Sequence, residues 1–351
     1  MENGQSSDGY DIQEIFLQDL YLQQSIGKGS FGVIYKGTWK GLTVAVKKVE
    51  TELQNTAFLN EITQLSRVSH ENIIHLYGAC AGLHNLIIVE YADGGSLYQL
   101  LHNSPLTQYN LAHAVSWLLQ CAKAVAYLHS FQPRPILHRD LKSPNLLLMN
   151  GAKMIKLCDF GTACEFSTVM SDNRGSAAWM APEVFEGTMY SEKCDVYSWG
   201  ILLWEVLTRR VPFQDLGLAV RIMWAVHQRQ RPPLIRGCPK PIENIMKRCW
   251  DHDHARRPHM EEILEIFQTI FRFLKGVDIP IANPPSSDDS MTDSYMSPYR
   301  ASSLERTSQD VSELGYDSNG LTDNLGEPLN PSFQLPNVNL SSQLPQPCVN
   351  F

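Results

Sequence analysis

His138, Arg139, Asp140, Lys142 and Asn145 stand together in ILHRDLKSPNLLL, residues 136–148. Charged groups set between apolar runs are costly to bury unless they are paired, and this set suits phosphoryl transfer. Asp140 can accept the proton of an attacking hydroxyl. Lys142 can neutralise a γ-phosphate, and Asn145 offers an amide oxygen to a divalent cation. Magnesium takes hard oxygen ligands and keeps several waters, so one amide and one carboxylate beside phosphate oxygens suffice. The carboxylate is Asp159 of CDFG, 14 residues after Asn145.

Two upstream patterns fit the same chemistry. GKGSFG places Gly27, Gly29 and Gly32 in G-x-G-x-x-G, and glycine lets a backbone turn and approach a phosphate chain without a Cβ clash. A dinucleotide fold would open a helix here. The strand-like VIYKGTW that follows instead predicts a hairpin lid over phosphates, formed by Gly27, Lys28, Gly29, Ser30, Phe31, Gly32, Val33 and Ile34. Lys47 lies in the apolar run VAVKK. It cannot share one alternating face with both Val44 and Val46, and Lys48 is the ready solvent-facing residue. Glu61, 14 residues on, falls on an amphipathic helical pattern and could hold Lys47 as an ion pair aimed at phosphates. Taken singly, either residue reads as an ordinary surface charge.

The elements that must position these groups come in three blocks. Residues 1–17 read as a polar leader. YLQQSIGKG, GVIYKGTW, TVAVKKVE and NLIIVEYA read as short antiparallel strands, and Phe58, Ile62 and Leu65 have helical spacing. After a joint at Gly94 and Gly95 come the long apolar-faced helices LAHAVSWLLQCAKAVAYLHS and DVYSWGILLWEVLTR, then IENIMKRCW and MEEILEIFQTIFRFLK. The expectation is an α+β, two-lobed body over 18–276, with a small antiparallel β-lobe at 18–92 and a larger, mainly helical lobe at 93–276. Residues 277–351 are rich in Pro, Ser, Asn and Asp without periodicity. They read as a largely disordered, solvated tail, with a docking segment as the alternative. Two architectural pairings are expected: Glu183 of WMAPE with Arg257 of ARRPHM, and Asp195 as a helix N-cap, an anchor for the 136–148 loop, or both.

Composition narrows the class. A net charge of −8 argues against a nucleic-acid-binding body. The apolar run WGILLWEVL is interrupted by Glu205 and falls short of the roughly 20 apolar residues of a membrane span. Eight scattered cysteines with no CxxC read as reduced thiols of a cytoplasmic protein rather than a disulfide or zinc framework. Cys158 reads as a small buried residue beside the cleft, within reach of a cleft-directed electrophile, and Ser297 before Pro298 as a proline-directed phosphosite.

In order and spacing these motifs resemble the eukaryotic protein kinases over residues 21–274. GSAAWMAPEVFEG and RIMWAVHQRQRPPLI resemble the mitogen-activated-protein (MAP) kinase kinase kinases of the tyrosine-kinase-like group. The resemblance implies ATP and Mg2+ in a cleft behind a hinge of Glu90, Tyr91 and Ala92. Val89 would be the gatekeeper, and Ile34, Ala45 and Leu147 would sandwich the adenine. Lys142, two residues after Asp140, is the Ser/Thr-type arrangement. The implied substrates are MAP kinase kinases in stress, immune or transforming-growth-factor-β-type signalling.

The resemblance also implies that Arg139 helps receive a phosphorylated activation loop, with regulatory hydroxyls at Thr168, Ser171 and Ser176. Ser176 could instead shape the substrate groove. An adaptor or activator protein on the large lobe remains compatible, whereas the tail shows no heptads for an adaptor-binding coiled coil. Ser143 stands where proline is expected and spares every catalytic position. The alternative function is a non-catalytic scaffold. Such scaffolds usually lack one of the residues corresponding to Lys47, Asp140 or Asp159, and all three are here.

Overall fold

The computed structural model describes residues 12–29, 32–49, 55–80, 85–165, 176–282, 284, 327–330 and 333. Its small lobe comprises β1 (Leu20–Gly29), β2 (Gly32–Trp39), β3 (Leu42–Lys48), α1 (Asn55–Ser66), β4 (Leu76–Cys80) and β5 (Leu86–Glu90). The large lobe follows with α2 (Leu97–His102), α3 (Leu111–His129), β6 (Ile136–Leu137), β7 (Leu146–Met149), β8 (Met154–Leu157) and β9 (Cys164–Glu165). It continues with α4 (Pro182–Phe185), α5 (Lys193–Thr208), α6 (Ala219–His227), β10 (Ile235–Arg236), α7 (Lys240–Cys249), α8 (Met260–Arg272) and β11 (Glu327–Pro328).

The five strands of the small lobe form an antiparallel sheet in the order β1-β2-β3-β5-β4. Alternation along β3 sends Val44 and Val46 to a cluster with Leu20, Trp39 and Ile88, and leaves Ala45 and Lys47 on the opposite face. Helix α1 covers its side of the sheet with Phe58 and Ile62, which pack with Val49 and Ile87. The third glycine of the Gly-rich motif has a reason other than the phosphate approach expected for it. A Cβ on Gly32, at φ +144°, would stand 1.9 Å from the Lys48 carbonyl of β3, so only glycine lets the hairpin lie this close.

In the large lobe, α2 and α3 each start with a reciprocal capping box, Ser96 with Gln99 and Asn110 with His113. Helix α5 has no polar face, because all 16 of its residues are buried, Lys193, Asp195 and Glu205 among them. It runs through the core of the lobe, packed against α3, α7 and, through Trp199 on Phe267, α8. Just past the hinge, the chain passes close to β7. Gly94 N–H donates to Leu148 O at 2.9 Å and Leu148 N–H to Gly95 O at 2.8 Å. A Cβ on Gly94 would meet Leu148 O at 2.7 Å, which explains the glycine joint.

Three expectations change. The described end of the polar leader is part of the fold: Ile15 is buried and its N–H donates to Ala79 O on β4. Its apolar side chain completes the Leu20–Trp39 cluster. Asp195 is not an N-cap. Helix α5 begins two residues earlier, at Lys193, and the carboxylate points sideways into the loop below. In the tail, 327–330 and 333 are docked rather than free: β11 pairs in parallel with β10, Asn330 is buried, and Glu327, Leu329 and Phe333 are half-buried, while Pro328 stays exposed.

Candidate active site

The loop between β6 and β7 is held from beneath by Asp195. Its Oδ1 accepts Arg139 N–H at 2.8 Å, and its Oδ2 accepts His138 N–H at 2.9 Å and lies 3.0 Å from His129 Nε2. Burial alone would raise this carboxyl. The hydrogen bond and charge of His129, with His138, outweigh burial and hold it below its usual range. His138 Nε2 lies 3.1 Å from Cys158 O, and its ring meets Phe160 edge-on at 5.0 Å, so the loop and the Asp159–Phe160 turn are fixed to each other.

On that platform the catalytic candidates converge. Asp140 Oδ2 accepts Lys142 Nζ at 2.7 Å and Asn145 Nδ2 at 3.0 Å. Its other oxygen, Oδ1, is buried and has no hydrogen-bond donor among the described residues. Asn145 Nδ2 also reaches Asp140 O at 2.8 Å, so its amide oxygen is the end left for a cation. The Asn145 carbonyl accepts Cys158 N–H at 3.0 Å, which sets Asp159 beside it. Asp159 sits in the left-handed region at φ +67°, a conformation that a non-glycine residue adopts only when its surroundings impose it.

From the small lobe, Lys47 Nζ reaches Glu61 Oε2 at 2.6 Å and Asp159 Oδ1 at 3.1 Å. Burial would lower the pKa of this ammonium, but the charges of Asp159 and Glu61 overcome it and hold the pKa well above the usual range, so Lys47 stays cationic. Asn60 Nδ2, which sequence reasoning missed, ties α1 to the Phe160, Gly161 and Ala163 carbonyls at 3.3, 3.0 and 2.6 Å. Helix α1 and the Asp159–Phe160 turn therefore move together.

Of the adenine-pocket candidates, Ala45 and Val89 are direct partners across β3 and β5, and Ile34 pairs with Lys47. Leu147 bridges to Ser96 just past the hinge, and Ala92 is buried. The Glu90 side chain turns to Lys156 at 2.9 Å, and its backbone N–H donates to His75 O at 2.9 Å. Gly27, Lys28, Gly29, Gly32 and Val33 form the ends of the β1–β2 hairpin, and Ser30 and Phe31 lie outside the described residues.

The regulatory candidates divide. Thr168 and Ser171 lie outside the described residues. Ser176 is buried and accepts Lys142 Nζ at 2.7 Å, a geometry that fits the groove-shaping alternative. The Arg139 guanidinium donates to Thr162 O and, at 2.8 Å, to Tyr190 Oη. Glu183 and Arg257 make the expected buried two-pronged pair, with Nη2 2.9 Å from Oε2. Burial, reinforced by the Asp159 charge, pushes the Cys158 thiol far up, so it is a poor nucleophile toward a cleft ligand.

Ser143 is more than a tolerated departure. Its hydroxyl donates to Glu205 Oε1 at 2.6 Å; that oxygen lies 2.9 Å from His102 Nε2, and Oε2 accepts Trp179 Nε1 at 2.9 Å. Glu205 is fully buried and joins the catalytic loop, α2 and the segment before α4. In the sequence it shows only as a charge interrupting an apolar run. Ser143→Ala removes one hydrogen bond to a buried carboxylate, worth about 1.5–3 kcal/mol. The expected result is that loss in denaturant unfolding with kcat lowered less than tenfold.

The donor set tests well against Mg-ATP. One amide oxygen and one carboxylate flank the buried Asp140, and Lys47 supplies a fixed cation. Among the described residues no cluster of three or more His, Cys, Asp or Glu could hold a metal alone. Two protein donors suit a magnesium ion shared with phosphate oxygens.

A family model described as protein tyrosine and serine/threonine kinase matches residues 20–267. Mitogen-activated protein kinase kinase kinase 7 of Homo sapiens is 54% identical over 281 residues, covering 80% of this chain and 46% of its own. The protein of that name in Mus musculus is also 54% identical over 281 residues, 80% of this chain and 48% of its own. That of Drosophila melanogaster is 44% identical over 274 residues, 78% of this chain and 40% of its own. The chain thus spans about half the length of the curated mammalian relatives it matches.

Proposed function

Because the chain belongs to the protein tyrosine and serine/threonine kinase family, we propose that it transfers the γ-phosphate of Mg-ATP to Ser or Thr hydroxyls of proteins, MAP kinase kinases among them. One observation carries this reading: the buried, donor-free Oδ1 of Asp140, beside an Oδ2 already held by Lys142 and Asn145. An acceptor kept free in a polar cluster is placed to receive the proton of an incoming hydroxyl.

The other residues position and neutralise. Lys47, oriented by Glu61, holds the α and β phosphates, and Lys142 neutralises charge on the γ-phosphate. Asn145 and Asp159 would hold magnesium, which would supply positive charge to offset that of the phosphates. The β1–β2 hairpin covers the phosphates, while Ile34, Ala45 and Leu147 sandwich the base and Val89 is the gatekeeper behind it. Phosphorylation at Thr168 or Ser171 orders the activation segment toward Arg139 by adding charge that arginine can pair.

A cytoplasmic location and an adaptor on the large lobe belong to the same proposal. The location is supported by six unpaired cysteines among the described residues, and no described helix is long and apolar enough to cross a membrane. The test is incorporation of labelled phosphate into a catalytically dead MAP kinase kinase, followed by phosphoamino-acid analysis. Phosphoserine or phosphothreonine is expected. Phosphotyrosine alone, or no transfer with ATP bound, would overturn the reading, the second in favour of a scaffold.

A further inference from the structure

Helix α5 ends where the tail returns. The last four carbonyls of a helix must find donors outside it. Arg209 N–H donates to Glu205 O at 2.8 Å, and the buried Tyr109 hydroxyl donates to Val206 O at 2.6 Å. The Leu207 carbonyl receives Asn330 N–H at 3.0 Å. Beside it, Leu234 O receives Glu327 N–H at 2.8 Å as β11 runs along β10.

Side chains reinforce the seat. Glu327 Oε2 lies 2.6 Å from Arg210 Nη1. The Phe333 ring meets Tyr109 edge-on, with centroids 5.6 Å apart, and Tyr109 is backed by the Arg209 guanidinium at 4.8 Å. Leu329 and Phe333 pack on the large-lobe core, and Asn330 is 4% exposed. A strand edge, a helix-end carbonyl, a cation and an aromatic ring together make a receptor for an extended peptide.

We propose that this groove is a peptide-docking site whose ligand, in cis, is the tail at residues 327–330 together with Phe333. The recognition pattern is an acid, an amide and an aromatic at every third position: Glu327, Asn330 and Phe333. The intervening residues 285–326 number 42, and at about 3.3–3.6 Å each their reach does not limit docking. Tethering raises the segment's effective concentration toward about millimolar, so the site stays closed to a free peptide of the same kind. The docked strand also supplies the donor that the end of α5 needs.

Amide hydrogen exchange on the full chain tests this independently of phosphoryl transfer. Glu327 and Asn330 amides are expected to be protected in the wild type and to lose at least tenfold protection in Phe333→Ala and in Arg210→Glu. Glu327→Lys in the Arg210→Glu background should restore it. A fluorescein-labelled peptide of residues 325–335 should bind Phe333→Ala at least tenfold more tightly than it binds the wild type. Unprotected wild-type amides, or equal peptide affinity for both chains, would overturn the proposal. So would protection that depends on protein concentration, because the strand would then come from a second copy.

Discussion

Replacing Asp140 by asparagine should cut kcat by about 10²–10⁴, the contribution expected of a positioned proton acceptor, while ATP affinity and melting temperature stay close to wild type. Lys142 Nζ and Asn145 Nδ2 both donate to Oδ2. An asparagine must therefore keep its oxygen at that end. Its NH2 then falls where Oδ1 stands, and the incoming hydroxyl meets a donor instead of an acceptor. Size and hydrogen bonding are otherwise preserved, so the loss is chemical. Steady-state phosphate transfer, read beside thermal unfolding and nucleotide titration, checks it. A kcat within tenfold of wild type in a folded, ATP-binding variant would remove Asp140 from its assigned role.

The largest stability effect is expected at Glu183. Its carboxylate is clamped by Arg257, whose side chain is 0% exposed and also donates to Lys193 O at 2.9 Å and Asp251 O at 2.8 Å. Glu183→Leu leaves a buried guanidinium without its counter-charge, which costs about 3–5 kcal/mol. For a body of this size the melting temperature should fall by about 6–20 °C. Adding Arg257→Met to that background should recover part of the loss, because it removes the stranded charge. Recovery would not be complete, since the arginine also serves two backbone carbonyls. A single variant within 1 kcal/mol of wild type would show that the pair contributes little.

Much of the site was legible because its chemistry is local. The 136–148 loop and CDFG carry the proposed proton acceptor and cation ligands within about 20 residues, and the glycine pattern declared its hairpin by the strand after it. The Lys47–Glu61 pair was legible from strand alternation plus helical spacing. What escaped is non-local. Glu205 gathers Ser143, His102 and Trp179 from three separate segments, and nothing in WGILLWEVL marks where its carboxylate points. Asn60 had no pattern to betray it, because it serves backbone carbonyls about 100 residues away. The strand at Glu327–Pro328 shows no periodicity because two residues are too few to carry one.

Helix α5 is where these threads meet. Its buried acids anchor the catalytic loop through Asp195 and brace it through Glu205, while its final turn accepts hydrogen bonds from Tyr109 and Asn330. No surface of it is spare. Warming should consequently abolish phosphate transfer no later than the helical circular-dichroism signal, since the loop that carries Asp140 is held by this helix.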